Sequence, residues 1–342
     1  MGAKNKIIGA LSASGAFRAA RLLPNQNLVI LNYHRIIDRR RTTLFDDGVF
    51  GPDVGEFDAQ IRWLKKNTDV LCESELLEVC DGKTKWRGTC SAVTFDDAYL
   101  DCYSLAYPVL KAAGVPAIFF VPTGAVTDGR LSWWDRIAFL VKTSRKPEFV
   151  FRGRRFGAGE RASASISELL ASWRSSGGDA TRGFIEELAA ATGSALPSAD
   201  DERGQVMNWD QIREVAAGGI GIGSHTEHHH ILSHLPLEDQ RRELTNSKAT
   251  IEKQLGRPIV SLAYPVGQYE HFTAATKALA QECGYRMAFS FLTGTAARDR
   301  LDRFDIQRTV VPETLARLDF GCAFPNFFFS RARVAGRAHA GL

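Results

Sequence analysis

Short apolar runs of strand length alternate along this chain with stretches of helical period, and that alternation restricts the fold more than any other feature. Residues 27–33 (NLVILNY), 90–95 (CSAVTF), 116–122 (PAIFFVP), 218–225 (GGIGIGSH), 259–265 (IVSLAYP) and 287–292 (MAFSFL) are rich in β-formers. Between them EFDAQIRWLKKN, LDCYSLAYPVLKAAG, NWDQIREVAAG and LEDQRRELTNSKATIEKQLG space their apolar residues as helices do. Strand–helix alternation implies an α/β fold, a parallel sheet covered by helices and either open or closed into a barrel. Chemistry then gathers at the carboxyl ends of the strands. Residues 125–206 break the rhythm with LSWWDRIAFLVKT, a hairpin pattern EFVFRGRRFG, the small-residue stretch GAGERASAS, and helical ISELLASWRSSG and RGFIEELAAATG. They read as a mainly helical insertion packed over or beside the barrel mouth.

Several strand ends carry reactive side chains. TFDDAY (94–99) closes one apolar run with two adjacent carboxylates, and an Asp in that place could equally be a helix N-cap. Five of the eight histidines fall in SHTEHHHILSH (224–234), where His225 and His229 are four apart, so one helical turn brings both rings to the same side. Two imidazoles and one carboxylate from a neighbouring strand end make a three-ligand set with a fourth position open for water, the arrangement of a catalytic zinc. One aspartate would hold the metal and the other would take a proton from water.

With 342 residues, 44% hydrophobic and 24% charged, the chain can bury a large core. A net charge of +4 without a basic and aromatic cluster argues against a nucleic-acid partner. Lys4, Lys6, Arg18 and Arg21 precede the first acid, Asp38, and Arg331, Arg333 and Arg337 follow the last, Asp319. Such ends suit an anionic membrane surface. Ile7, Ile8, Leu11, Phe17 and Leu22 suggest an amphipathic helix, in a segment too short and too interrupted for a bilayer span or a secretory signal. The six cysteines show no CxxC spacing, which fits a reducing compartment. The expectation is a cytoplasmic protein with peripheral contact at the inner membrane face, divided into a basic amphipathic segment (1–26), a catalytic barrel (27–319) with the insertion at about 125–206, and a basic tail (320–342).

TFDDAY and HTEHH resemble the first two signature motifs of the polysaccharide deacetylases, the NodB-homology domain of carbohydrate esterase family 4. KAAGVPAIFFVPTG after the first motif, NWDQIREVAAGGIGIGSH before the second, and IEKQLGRPIVSLAYPVGQY beyond it extend the resemblance over roughly residues 27–125 and 206–311. The resemblance implies a distorted (β/α)7 barrel and metal-dependent removal of acetyl from an N-acetylated sugar, with Asp96 as general base and Asp97, His225 and His229 holding a divalent metal, zinc by preference. Thr226 would steady the His loop, and Tyr264 would contact substrate. The third motif, usually Arg-x-Pro-Tyr-Gly, reads Ala263, Tyr264, Pro265, Val266, Gly267 here. The Val266 N–H could still serve an oxyanion hole, and Arg308, in FDIQRTVV, stands in for the missing arginine that orients the base.

Two departures remain. Ala98 replaces the glycine that closes the first motif, which requires the backbone there to avoid positive φ. The late Leu-His motif is absent; a subgroup similar to bacterial poly-N-acetylglucosamine deacetylases carries its acid histidine near the amino end, and His34, in LNYHRI, takes that place. Protonated, it would give its proton to the departing amine. Trp133 or Trp134 in the insertion is expected to offer an aromatic face to a sugar ring. The alternatives are an O-acetyl esterase or other amidase on the same fold, or an inactive carbohydrate-binding homologue.

Overall fold

The Gln26–Tyr33 and Gly88–Phe95 strands run parallel in continuous register, with Leu28 opposite Cys90, Ile30 opposite Ala92 and Asn32 opposite Thr94. Side chains alternate along a strand. Leu28, Ile30, Cys90 and Ala92 therefore join Ile118, Phe120, Ala263, Met287, Phe289 and Ile306 in a buried cluster lining the inside of the sheet. Val29, Leu31, Tyr33, Val93 and Phe95 face the covering helices in a second, larger one. The computed structural model describes residues 3–21, 26–37, 43–84, 88–175, 181–202, 204–292, 296–297, 301–312 and 314–324.

Beyond Gly88–Phe95 the sheet continues through Ile118–Val121, Gly221–Ser224, Ser261–Ala263 and Met287–Phe289, each parallel to its neighbour. The segment after it returns to the first strand: Ile306 pairs with Phe289, and Thr309–Val310 pairs with Leu31 and Asn32. The result is the distorted (β/α)7 barrel expected from the sequence. Its later strands are shorter than the apolar runs, because runs such as GGIGIGSH and IVSLAYP include the turns that enter and leave the sheet.

Helix starts follow local chemistry. Val54–Asn67 opens with a reciprocal capping box between Asp53 and Glu56, and Trp209–Ala217 with one between Asn208 and Gln211. LDCYSLAYPVLKAAG is less regular than its period suggests: Cys102–Ala106 is a π turn in which the Tyr107 N–H reaches back to the Cys102 carbonyl, just before Pro108, which has no N–H to give. The helices Glu73–Cys80 and Ala274–Glu282 lie outside the helical patterns visible in the sequence.

In the insertion, Glu148–Phe151 pairs antiparallel with Arg154–Gly157 through Arg152 and Gly153, both at positive φ, as a two-residue hairpin requires. The helix Ala162–Ser175 begins inside the small-residue stretch that had been set apart from it. The boundary expected at 319/320 falls within the helix Leu315–Ala323. That helix holds the amino-terminal one, Ala3–Ala13, through the Ser12 hydroxyl, which donates to Asp319 (2.8 Å), while Phe17 is buried against Phe320 and Phe324. The basic tail beyond residue 324 lies outside the described residues. Among those described, no helix is long and apolar enough to cross a membrane, and all six cysteines are free.

Candidate active site

Register delivers the first two site residues. Tyr33 stands opposite Phe95 at the carboxyl ends of the first two strands, so the next inward positions are His34 and Asp96. The His34 Nε2 lies 3.9 Å from the Asp96 Oδ2. Asn32 and Thr94, one inward step below, form a polar floor: Thr94 donates to the Asn32 Oδ1 (2.7 Å), and the Asn32 amide donates to the Asp96 Oδ2 (3.0 Å). Asn32 escaped notice in the sequence, although a lone amide inside NLVILNY was the available signal. Behind His34, the Cys102 thiol donates to its carbonyl, and Arg35 is paired with buried Asp101 at 2.7 Å.

Arg308 enters from the closing segment, fully buried. Its guanidinium donates to both Asp96 oxygens, at 2.7 and 2.9 Å, to the Asn32 Oδ1 at 2.7 Å and to the Ser290 carbonyl at 3.0 Å. Burial alone would raise the Asp96 carboxyl, but Arg308, with His225 and His34, takes it well below the ordinary carboxylate range. The two-point contact fixes the orientation of the carboxylate as well as its charge.

Asp97, His225 and His229 converge beside it. The two histidine Nε2 atoms are 3.1 Å apart, and the Asp97 Oδ1 lies 3.6 Å from one and 3.5 Å from the other. The His225 Nδ1 sits 2.8 Å from the Ala263 carbonyl, which keeps the proton on that nitrogen and leaves the Nε2 lone pair facing the centre. The Asp97 Oδ1 is buried with no hydrogen-bond partner. Burial, then the Asp96 and Asp135 charges, push the Asp97 carboxyl well above its usual value, and burial pushes both imidazoles down. Three mutually exposed lone pairs in a dry pocket want a cation. Their separations match the edges of a tetrahedron with bonds of about 2.0–2.1 Å, roughly 3.3 Å, so these three residues fit a divalent metal of that size.

The loops that carry the site are held in unusual backbone. Asp97, Ala98, Thr226, His229 and Val266 all have positive φ. The expectation that Ala98 avoids it is therefore wrong: φ is 54° there. The chain accepts the strain, about 1–3 kcal/mol for a non-glycine residue, because Met207 donates to the Ala98 carbonyl and Leu100 donates to the Gln205 carbonyl, strapping the turn in place. The Thr226 hydroxyl accepts from the His229 N–H (3.1 Å) and steadies the His loop. The Val266 N–H donates to no acceptor among the described residues.

Three sequence expectations need correction. Tyr264 is core: fully buried, it stacks on Phe272 and donates to the Phe304 carbonyl, so it offers nothing to a substrate. Trp133 and Trp134 present no open face. Trp133 stacks on Trp173 at 3.5 Å, and Trp134 sets its edge against His229 at 4.5 Å. The buried Trp133 N–H has no partner among the described residues, whereas Trp134 donates to the Tyr99 hydroxyl, which donates to buried Asp135. His34, thirdly, is not cationic at rest. Burial outweighs the Asp96 charge and brings its imidazole down to about 4, so the ring is neutral at pH 7.

His271, outside the site, is lowered in the same way to about 4, mainly by burial, with its Nδ1 accepting the Gln268 N–H. Its unfolded form takes a proton near 6.5, which the folded form refuses until about 4. Its contribution is therefore intact above pH 6.5 and lost as pH falls to about 4. Changing His271 to Gln should flatten the acid side of a denaturation-against-pH curve between those limits, by at most about 3 kcal/mol. An unchanged slope would mean that His271 titrates normally.

The fold and the site together describe an α/β barrel with a candidate His-His-Asp cation site on its carboxyl rim. The chain belongs to the polysaccharide deacetylase family, whose sequence profile matches residues 83–288. It is 25% identical over 248 residues to YxkH of Bacillus subtilis (strain 168), an alignment that takes in 72% of this chain and 60% of that protein's length. Among solved structures it is similar to the Streptococcus pyogenes deacetylase PplD in complex with acetate (TM-score 0.56, 18% identity, 86% of this chain and 96% of that one). It is likewise similar to IcaB from Ammonifex degensii (TM-score 0.55, 19% identity, 93% and 98%). At these identities the structural likenesses speak for the fold.

Proposed function

We propose that this protein is a metal-dependent hydrolase that removes acetyl from an N-acetylated amino sugar of a bacterial surface polysaccharide or of its oligosaccharide or lipid-linked precursor. The observation that carries the reading is the convergence of the Asp97 Oδ1 and the His225 and His229 Nε2 atoms beside an aspartate clamped by Arg308. A divalent ion held by those three, zinc by its donor set, would supply Lewis acidity, making water more acidic and polarising the acetyl carbonyl. Asp96, kept ionised and aimed by Arg308, accepts the proton from the attacking water. The Val266 N–H is free to donate to the oxyanion that develops. A carboxylate of such low basicity stores a proton poorly, and neutral His34, 3.9 Å away, is placed to receive it and deliver it to the departing nitrogen. The products are acetate and a free amino sugar.

The cytoplasmic, peripheral placement belongs to the same proposal. Ile7 and Leu11, four apart on the amino-terminal helix, remain exposed next to exposed Lys6, as a helix resting on an anionic surface would need. Acetate release from an N-acetylhexosamine oligomer and from a sugar acetyl ester, with and without chelator, tests the activity; faster ester cleavage, or release indifferent to chelator, would refute it. His34→Ala should lower kcat by about 10²–10⁴ with metal content unchanged, and a kcat within a few-fold of wild type would remove His34 from the proton path.

A further inference from the structure

A second set of donors lies on the outer side of the His loop. His228, His230 and Glu243 each offer a ligand atom, all within 4.8 Å of one another. Side chains of successive loop residues diverge here: His229 turns inward to His225, while its two neighbours turn to Glu243 on the helix Leu237–Leu255. Glu243 is buried, and its Oε2 is already used, accepting the N–H groups of Glu227 (2.9 Å) and His228 (2.8 Å). That leaves the Oε1, which faces the His228 Nδ1 at 2.7 Å and the His230 Nδ1 at 3.5 Å. The two rings lie nearly parallel, 5.6 Å apart.

We propose that His228, His230 and Glu243 form a second transition-metal site, separate from the His225–His229–Asp97 centre and independent of the catalytic reading of that centre. One carboxylate oxygen and two imidazole nitrogens are a donor set suited to zinc, copper, nickel or cobalt. The carboxylate is fixed before any ion arrives, by its two backbone donors. The loop is fixed from the other side, where Thr123 and Gly124 donate to the Thr226 and Glu227 carbonyls. At Gly124 the approach is so close that a Cβ would stand 2.8 Å from the Glu227 oxygen. Partial exposure of the His228 and His230 rings gives an ion its way in. An ion there would tie residues 228 and 230 to the helix and so hold His229 between them in its positive-φ backbone, coupling occupancy of the outer site to the geometry of the inner one.

The test is metal stoichiometry of the tag-free full chain, stripped and dialysed to equilibrium against micromolar Zn²⁺ or Co²⁺. Wild type is expected to hold two ions, and His230→Asn and His228→Gln each one fewer than wild type, with the same far-UV circular dichroism. His229→Ala should lose the inner ion and keep the outer one. If His230→Asn and His228→Gln both hold as much metal as wild type, the outer site does not exist. Failure of the inner centre is read separately, as unchanged stoichiometry in His229→Ala.

Discussion

Changing His229 to Ala should take one equivalent of divalent metal from the protein and reduce acetate release to background, whereas Asp96→Asn should abolish release with the metal retained. The contrast follows from geometry. The His229 Nε2 is one corner of the three-donor set, 3.1 and 3.5 Å from its companions, and two donors do not hold a zinc-sized ion against water. Asp96 stands beside that set, with its oxygens committed to Arg308 and Asn32. Its loss would remove the proposed proton acceptor and leave the donors in place. A variant lacking His229 that keeps the inner ion, shown by dialysis alongside the His230→Asn control, would overturn the ligand assignment.

Arg308→Met should be strongly destabilising. The guanidinium is fully buried and meets both oxygens of a buried carboxylate. Removing it leaves an uncompensated charge, at a cost of about 3–5 kcal/mol, to be read from denaturant unfolding of metal-free protein at pH 7. The pH dependence carries the diagnostic sign. In the native pair the Asp96 carboxyl is held well below its unfolded value, so its contribution is present above about pH 4 and lost below. Without Arg308, burial is opposed only by His225, His34 and the Asn32 amide, so the carboxyl moves upward and the variant should gain on wild type as pH falls from 7 toward 4. Arg308→Lys would keep the charge but not the two-point contact, recovering stability more than turnover. Equal stability of Arg308→Met and wild type at pH 7 would show that the pair contributes nothing net.

Local pattern accounts for much of this fold. The six principal strands were visible as apolar runs, and the inward placing of His34 and Asp96 follows from a period of two once the strands pair in register. The two-strand hairpin of the insertion was legible because its turn needs residues at positive φ, and an Arg-Gly pair offers one. The closing strand Thr309–Val310 was harder to see, because only two residues of it pair with the first strand and no apolar run announces it.

Identity and order along the chain, then, specified a barrel and the chemical types at its rim: two carboxylates after one strand and paired imidazoles after another, each following an apolar run that must be buried. What only the tertiary structure decided is which of those groups meet and in what state. Arg308 reaches Asp96 across 212 residues, a contact made by ring closure and invisible to any local period. Trp133, Trp134 and Tyr264 are core through their contacts with Trp173, His229 and Phe272, while His34 is neutral because desolvation outweighs the Asp96 charge. Ala98 occupies a glycine conformation because residues 205–207 hold it there. Burial and long-range packing set these outcomes, and they belong to the assembled barrel rather than to any stretch of its sequence.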